Sequence, residues 1–223
     1  MANRNGRVTV EATDGNRLTV SGRRVAASEA GLESVTVAVS TGEATLVDVR
    51  LERGEGFENR SVPLTVGVPE GATADAATTA NGDVSVTGVG GDVRAATSNG
   101  AVEVRDVTGY VRAASGNGDV TARETTGLRG AHTANGAVAV DVLGMRDDVT
   151  CSSANGPVTA RVGESVRAAV RLTTARGTTS VASALPFEPS VSRPRTVVGR
   201  LRGADAPLLT LRSGNGDVTL QPA

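Results

Sequence analysis

An Asn-Gly pair recurs along the middle of this 223-residue chain at a spacing that leaves few folds open. Asn81-Gly82, Asn99-Gly100, Asn117-Gly118 and Asn135-Gly136 stand 18 residues apart, and Asn155-Gly156 follows after 20. Asn215 opens a further pair near the end. In the first three units a second glycine (Gly91, Gly109, Gly127) lies ten residues after the asparagine, so each unit divides into two similar halves. A repeat of this length is read before any local secondary structure, because it dictates which distant residues become neighbours.

The apolar residues of the units fall into columns. Val84, Val102 and Val120 share one position, and Val86, Val104 and Ala122 share the position two further on. In the second half Val93 matches Val111, and Ala95 matches Ala113 and Ala131. Alternation with period two is a strand signal, and the same phase at a fixed spacing predicts strands stacked about 4.8 Å apart. Glycine supplies the positive φ of a sharp corner and asparagine tolerates it. Stacked asparagines can also exchange amide hydrogen bonds. The predicted turn ladder is therefore Asn81, Gly82, Asn99, Gly100, Asn117, Gly118, Asn135, Gly136, Asn155 and Gly156. Separate hairpins use the same dipeptide in two-residue turns. Matched columns at fixed spacing favour instead an all-β, single-domain β-solenoid, a parallel β-helix with about 18 residues per coil.

The flanks read as strand too. "RVTVEA", "RLTVSG", "SVTVAVS", "ATLVDVRLE" and "VPLTVGVPEG" alternate and end in turn residues, giving a strand-rich part over residues 1–72. Regular coils occupy 73–174, with a degenerate corner at Arg176-Gly177 just beyond. An irregular segment with Pro186, Pro189, Pro194 and Pro207 fills most of 175–223 and is expected to bulge or cap before a final strand. Only "ASEAGLES" and "GESVRAAV" lean towards helix, and both are short.

The run "ANGDVSV … SNGAVEV … GNGDVTA … ANGAVAV", preceded by "VPLTVGVPEG" and closed by "LTLRSGNGDVTL", resembles a prokaryotic family of β-solenoid domains labelled "putative adhesin". The resemblance spans about Leu46 to Leu220. It implies a β-helix with a surface or scaffold role and no assigned catalytic residues.

Composition narrows the chemistry. Phe57, Tyr110 and Phe187 are the only aromatics, and all 23 basic residues are Arg. Neither Lys nor Ile occurs, so the core must be built from Val, Leu and Ala. A single Cys151 rules out an internal disulfide, and a single His132 rules out a multi-His metal site. Cys151 is expected to be a small half-buried residue, and His132, in the column of Ala96 and Ala114, a surface or edge residue. No apolar run reaches the roughly 18–20 residues of a membrane span, and the start "MANRNGRVTVEATDG" has no signal-peptide core. The expectation is a cytoplasmic chain by default, with surface association admitted by the resemblance.

Calcium-binding nonapeptide repeats carry an aspartate in every turn. Here the residue after the turn glycine is Asp83, Asp92, Ala101, Tyr110, Asp119, Leu128 and Ala137, too few carboxylates for a hard cation that wants six or more oxygens. A carbohydrate-active β-helix enzyme, of polysaccharide lyase or hydrolase type, is the alternative from another class. Asp83 and Asp119 would lie two coils apart, about 9–10 Å, without a partner base or an aromatic platform for a sugar ring. No catalytic, cofactor-binding or metal-binding set emerges. The expected role is a non-catalytic scaffold or adhesin-like module.

Charge is uneven along the chain. Residues 1–160 hold 14 Arg and 20 acids, and residues 161–223 hold nine Arg and four acids. If sequence order follows the solenoid axis, one end is basic, and Arg193, Arg195, Arg200 and Arg202 become candidate anion contacts. Two kinds of partner follow. Copies can associate through solenoid ends or edges, or a protein or polysaccharide can bind. Nucleic acid is disfavoured by the missing lysines and stacking aromatics.

Overall fold

The computed structural model describes residues 1–41, 45–51, 60–203 and 206–223. Its elements run β1 (Val8–Thr13), β2 (Thr19–Gly22), α1 (Glu29–Glu33), β3 (Val35–Ser40), β4 (Leu46–Leu51), β5 (Leu64–Pro69), β6 (Ala76–Asn81), β7 (Val84–Thr87) and β8 (Val93–Asn99). Two long strands follow, β9 (Val102–Asn117) and β10 (Val120–Asn135), then β11 (Val138–Val142), β12 (Val149–Asn155), β13 (Val158–Val162) and β14 (Ala168–Arg176). The chain ends with β15 (Thr179–Val181), β16 (Phe187–Arg193), β17 (Thr196–Leu201), β18 (Leu208–Asn215) and β19 (Val218–Pro222). Seventeen strands form one sheet, and β3 and β4 pair as an antiparallel hairpin. Of the two helix-leaning patches, the first forms α1, with Ser28 capping the Gly31 N–H at 3.1 Å. The second does not form a helix: its last residues open β14.

The building block is an arch, a strand that turns at a glycine corner into a second strand. Residues 18 apart pair in parallel on both sides of the corner. Val84 faces Val102 and Val102 faces Val120 after the corner, while Val93 faces Val111 and Ala95 faces Ala113 before it. The inward residues of these columns are at most 3% exposed. Small β-branched side chains suit the interior because each packs directly on its equivalent one strand spacing away.

Pairing order departs from chain order at both ends. β1 lies between β5 and β7, in parallel register with both. The last arch, β18–β19, lies between β12–β13 on one side and β14–β15 on the other. The closing strand expected at the far end is thus an interior one. Beyond β14 the proline-bearing segment forms the antiparallel pair β16–β17, whose β17 runs against β14. At the other end β2 runs antiparallel along β5. By corner residue, the pairing order is Asn5, Asn81, Asn99, Asn117, Asn135, Asn155, Asn215, Arg176.

Among the described residues no helix is long and apolar enough to cross a membrane.

Candidate functional site: corners and outward faces of the arches

Each corner asparagine donates its amide N–H to the amide oxygen of the next. Asn81 Nδ2 reaches Asn5 Oδ1 at 2.6 Å, Asn99 reaches Asn81 at 2.7 Å, and Asn117 reaches Asn99 at 2.8 Å. Asn135 then bonds Asn117 at 2.7 Å, Asn155 bonds Asn135 at 2.9 Å, and Asn215 bonds Asn155 at 2.7 Å. Asn5 finishes the row on the Arg60 carbonyl at 3.1 Å. Sequence reading missed Asn5, although "NGRVTV" has the same form as "NGDVSV".

Two further rows support the corners. An inward hydroxyl two residues before the asparagine donates to the corner-glycine carbonyl of the preceding arch. Thr97 bonds Gly82, Ser115 bonds Gly100, Thr133 bonds Gly118, Ser153 bonds Gly136 and Ser213 bonds Gly156, all at 2.8 Å. This is why Ser or Thr precedes each of these Asn-Gly pairs at that position, a signal in plain view of the sequence. The hydroxyls are buried, and a buried donor must find an acceptor. The second row uses the aspartates. Asp83 accepts the Ala101 N–H at 3.0 Å and Asp119 the Ala137 N–H at 2.7 Å, while Asp217 accepts both the Thr178 N–H and its hydroxyl. These hydrogen bonds, joined at Asp83 by the Arg7 guanidinium, hold the Asp83 and Asp217 carboxyls below the usual carboxylate range. The alternation of Asp with Ala in this column keeps carboxylates out of adjacent arches.

The side beyond the second glycine carries an ionic cluster. Arg129 bonds the Asp92 carboxylate at 2.5 Å, Asp92 accepts the Tyr110 N–H at 2.9 Å, and Arg146 lies 4.0 Å over the Tyr110 ring. Asp141 is only 4% exposed and takes a two-pronged bond from Arg161 at 2.7 and 2.9 Å. Such planar pairing is the strong form of an ion pair. Asp148 accepts the Leu208 N–H at 2.8 Å. Among the described residues no three His, Cys, Asp or Glu side chains gather as a metal site would require.

Cys151 is fully buried rather than half-buried, because its position points inward between Ala131 and Leu211, and burial pushes its thiol up to about 12. His132 is half-buried on an outward face, with Nδ1 3.0 Å from Ser152 Oγ. Burial, and behind it the charge of Arg112, lowers its pKa.

The four candidate arginines do not converge. Arg193 and Arg195 sit at the β16–β17 turn, whereas Arg200 lies opposite Glu188 at the other end of that hairpin. Arg202 turns away and donates to the Gly163 and Val166 carbonyls at 3.4 and 3.3 Å. The basic excess of residues 161–223 stays at one end of the stack, because β18–β19, β14–β15 and the β16–β17 hairpin all pair beyond β12–β13. Charge is also divided between faces. The strands after the corners carry Glu11, Glu103, Asp106, Glu124 and Asp141. The strands before them (β6, β8, 111–117 of β9, 130–135 of β10, β12, β18 and β14) carry no Asp or Glu at all.

No protein-family model and no curated protein matches this chain. Two solved bacterial structures are similar to it. One, named a putative cell adhesion protein from Clostridium sporogenes ATCC 15579, is 10% identical with a TM-score of 0.36, over 100% of this chain and 90% of that one. The other, named a putative adhesin from Bacteroides fragilis NCTC 9343, is 14% identical with a TM-score of 0.48, over 98% of this chain and 89% of that one. Likeness at this level assigns no activity.

Proposed function

We propose that the chain is one β-solenoid domain over residues 1–223, serving as a non-catalytic scaffold or adhesin-like interaction module. The observation that carries this reading is the parallel pairing that joins the arches corner to corner along one asparagine row, with register shifts between β9 and β10 only away from the corners, around residues 125–130. Such a stack presents long, flat outward faces at a fixed strand spacing, held by side chains already committed to internal bonds. The placement of β1 and β18–β19 inside the stack supports a single domain, because cutting at 72 or 174 would separate paired strands. Asp83 and Asp119, the pair a carbohydrate-active enzyme would use, are tied to backbone N–H groups, which supports the non-catalytic side.

Two measurements test this. Small-angle scattering should give an elongated particle, and a compact spherical profile would exclude the solenoid. Incubation with neutral and acidic polysaccharides should release no new reducing or unsaturated ends. Release that disappears in Asp83→Asn or Asp119→Asn would establish the enzyme instead.

A further inference from the structure

We infer that the carboxylate-free sheet face is a docking surface for a linear, carboxylate-bearing polysaccharide. The inference rests on the module reading and names its partner class. Its outward positions include Arg94, Arg112, Arg212 and Arg171, all exposed, and the half-buried His132. None of the four guanidinium groups makes an ion pair or hydrogen bond among the described residues, and no like-signed competitor for a bound anion shares the strands. Four of the carboxylates that border the face are engaged: Asp83 and Asp119 hold N–H groups across the corner, and Asp92 and Asp148 are bonded at the other margin, whereas Asp75 and Asp147 at that margin make no side-chain hydrogen bond or ion pair among the described residues.

Register fixes the layout. Arg94 and Arg112 are direct partners in adjacent strands. Their column continues through Gly130, Thr150 and Thr210 to Arg171, and the neighbouring column two residues further on runs from Ala114 through His132 and Ser152 to Arg212. The run therefore spans five strand steps, about 24 Å. The positions between are small or hydroxylic, among them Ala114, Thr150 and Ser152, so an extended chain can lie close against the sheet. Arginine forks match planar carboxylates two bonds at a time, and hydroxyl side chains offer partners to sugar hydroxyls. Nucleic acid fits less well: the face carries no aromatic side chain for base stacking, which supplies much of single-strand binding.

The test is binding of the full chain to polygalacturonate, with neutral dextran and an oligothymidylate of matched charge as comparison arms, across a salt series. Polygalacturonate should bind and dextran should not. Arg94→Gln/Arg112→Gln and Arg171→Gln/Arg212→Gln should each weaken binding about tenfold at low salt. Each pair should also flatten the slope of log K against log salt by about 1.4, while Arg193→Gln/Arg195→Gln leaves both unchanged. Polygalacturonate should further shield these four arginines of the unmodified chain from phenylglyoxal, a readout that survives any folding defect in the variants. Absence of polygalacturonate binding overturns the inference. So does binding unaffected by the face substitutions, loss in the Arg193/Arg195 variant alone, or tighter binding of the oligothymidylate. An elongated, non-catalytic chain that fails to bind would sink this inference while leaving the module reading standing.

Discussion

Replacing a corner glycine separates the two demands that stacking makes on it. Gly118 has φ +145°, a conformation essentially reserved for glycine, and a Cβ there would run into the Gly100 carbonyl of the neighbouring arch. Gly118→Ala therefore incurs backbone strain of about 1–3 kcal/mol. It also incurs overpacking of about 1–3 kcal/mol, because moving the Gly100 carbonyl disturbs the 2.8 Å bond it accepts from Ser115. Gly71 supplies the control: its φ of +76° is also left-handed, but a Cβ there meets nothing within 4 Å. Gly71→Ala carries only the conformational cost, partly offset by a stiffer unfolded chain, and should come to about 1 kcal/mol. For a chain of this size each kcal/mol moves Tm by about 2–4 °C. Thermal melting with urea titration should thus place Gly118→Ala roughly 5–20 °C below the parent and Gly71→Ala only a few degrees below. Equal losses in the two variants would show that the corner carbonyls do not stack as described.

Three further outcomes follow from particular residues. Val102 is 1% exposed, so Val102→Asp should cost several kcal/mol by burying an unpaired carboxylate; a melting temperature near the parent's would mean that this column does not face inward. Cys151 and Leu211 are direct register partners, and adjacent strands suit disulfide geometry. Leu211→Cys refolded in a glutathione buffer should thus yield an intramolecular disulfide between Cys151 and the introduced thiol by mass spectrometry, whereas two free thiols would refute the interior position of the last arch. Because burial lowers the His132 pKa below 6.5, its stabilising share is full above about that pH. It declines as pH falls through the interval down to the folded value. Urea stability of the parent should drop more between about pH 7.5 and pH 5 than that of His132→Asn, and parallel curves would contradict the assignment.

The columns were legible because an 18-residue period carries Val84 onto Val102 and Val120 without any knowledge of the fold. Axial order was not, and the reason is the same regularity. "ASGNGDVTA" and "RSGNGDVTL" differ little, so nothing local tells the final arch which neighbours to take. Asn5-Gly6 lies 76 residues before the next pair, too far for its membership to show as spacing. Charge summed along the chain hid the division between faces, because that division alternates with each corner. Cys151 and the hydroxyls before each asparagine were readable from parity alone, since their positions continue the inward phase of the valines.

The pairing of both β1 and β19 on two sides has a mechanical consequence. Tension applied between Met1 and Ala223 would not peel a strand from an edge, one hydrogen bond at a time. It would load β1 against β5 and β7, and β19 against β13 and β15, along their lengths, so that the bonds on both flanks resist together in shear.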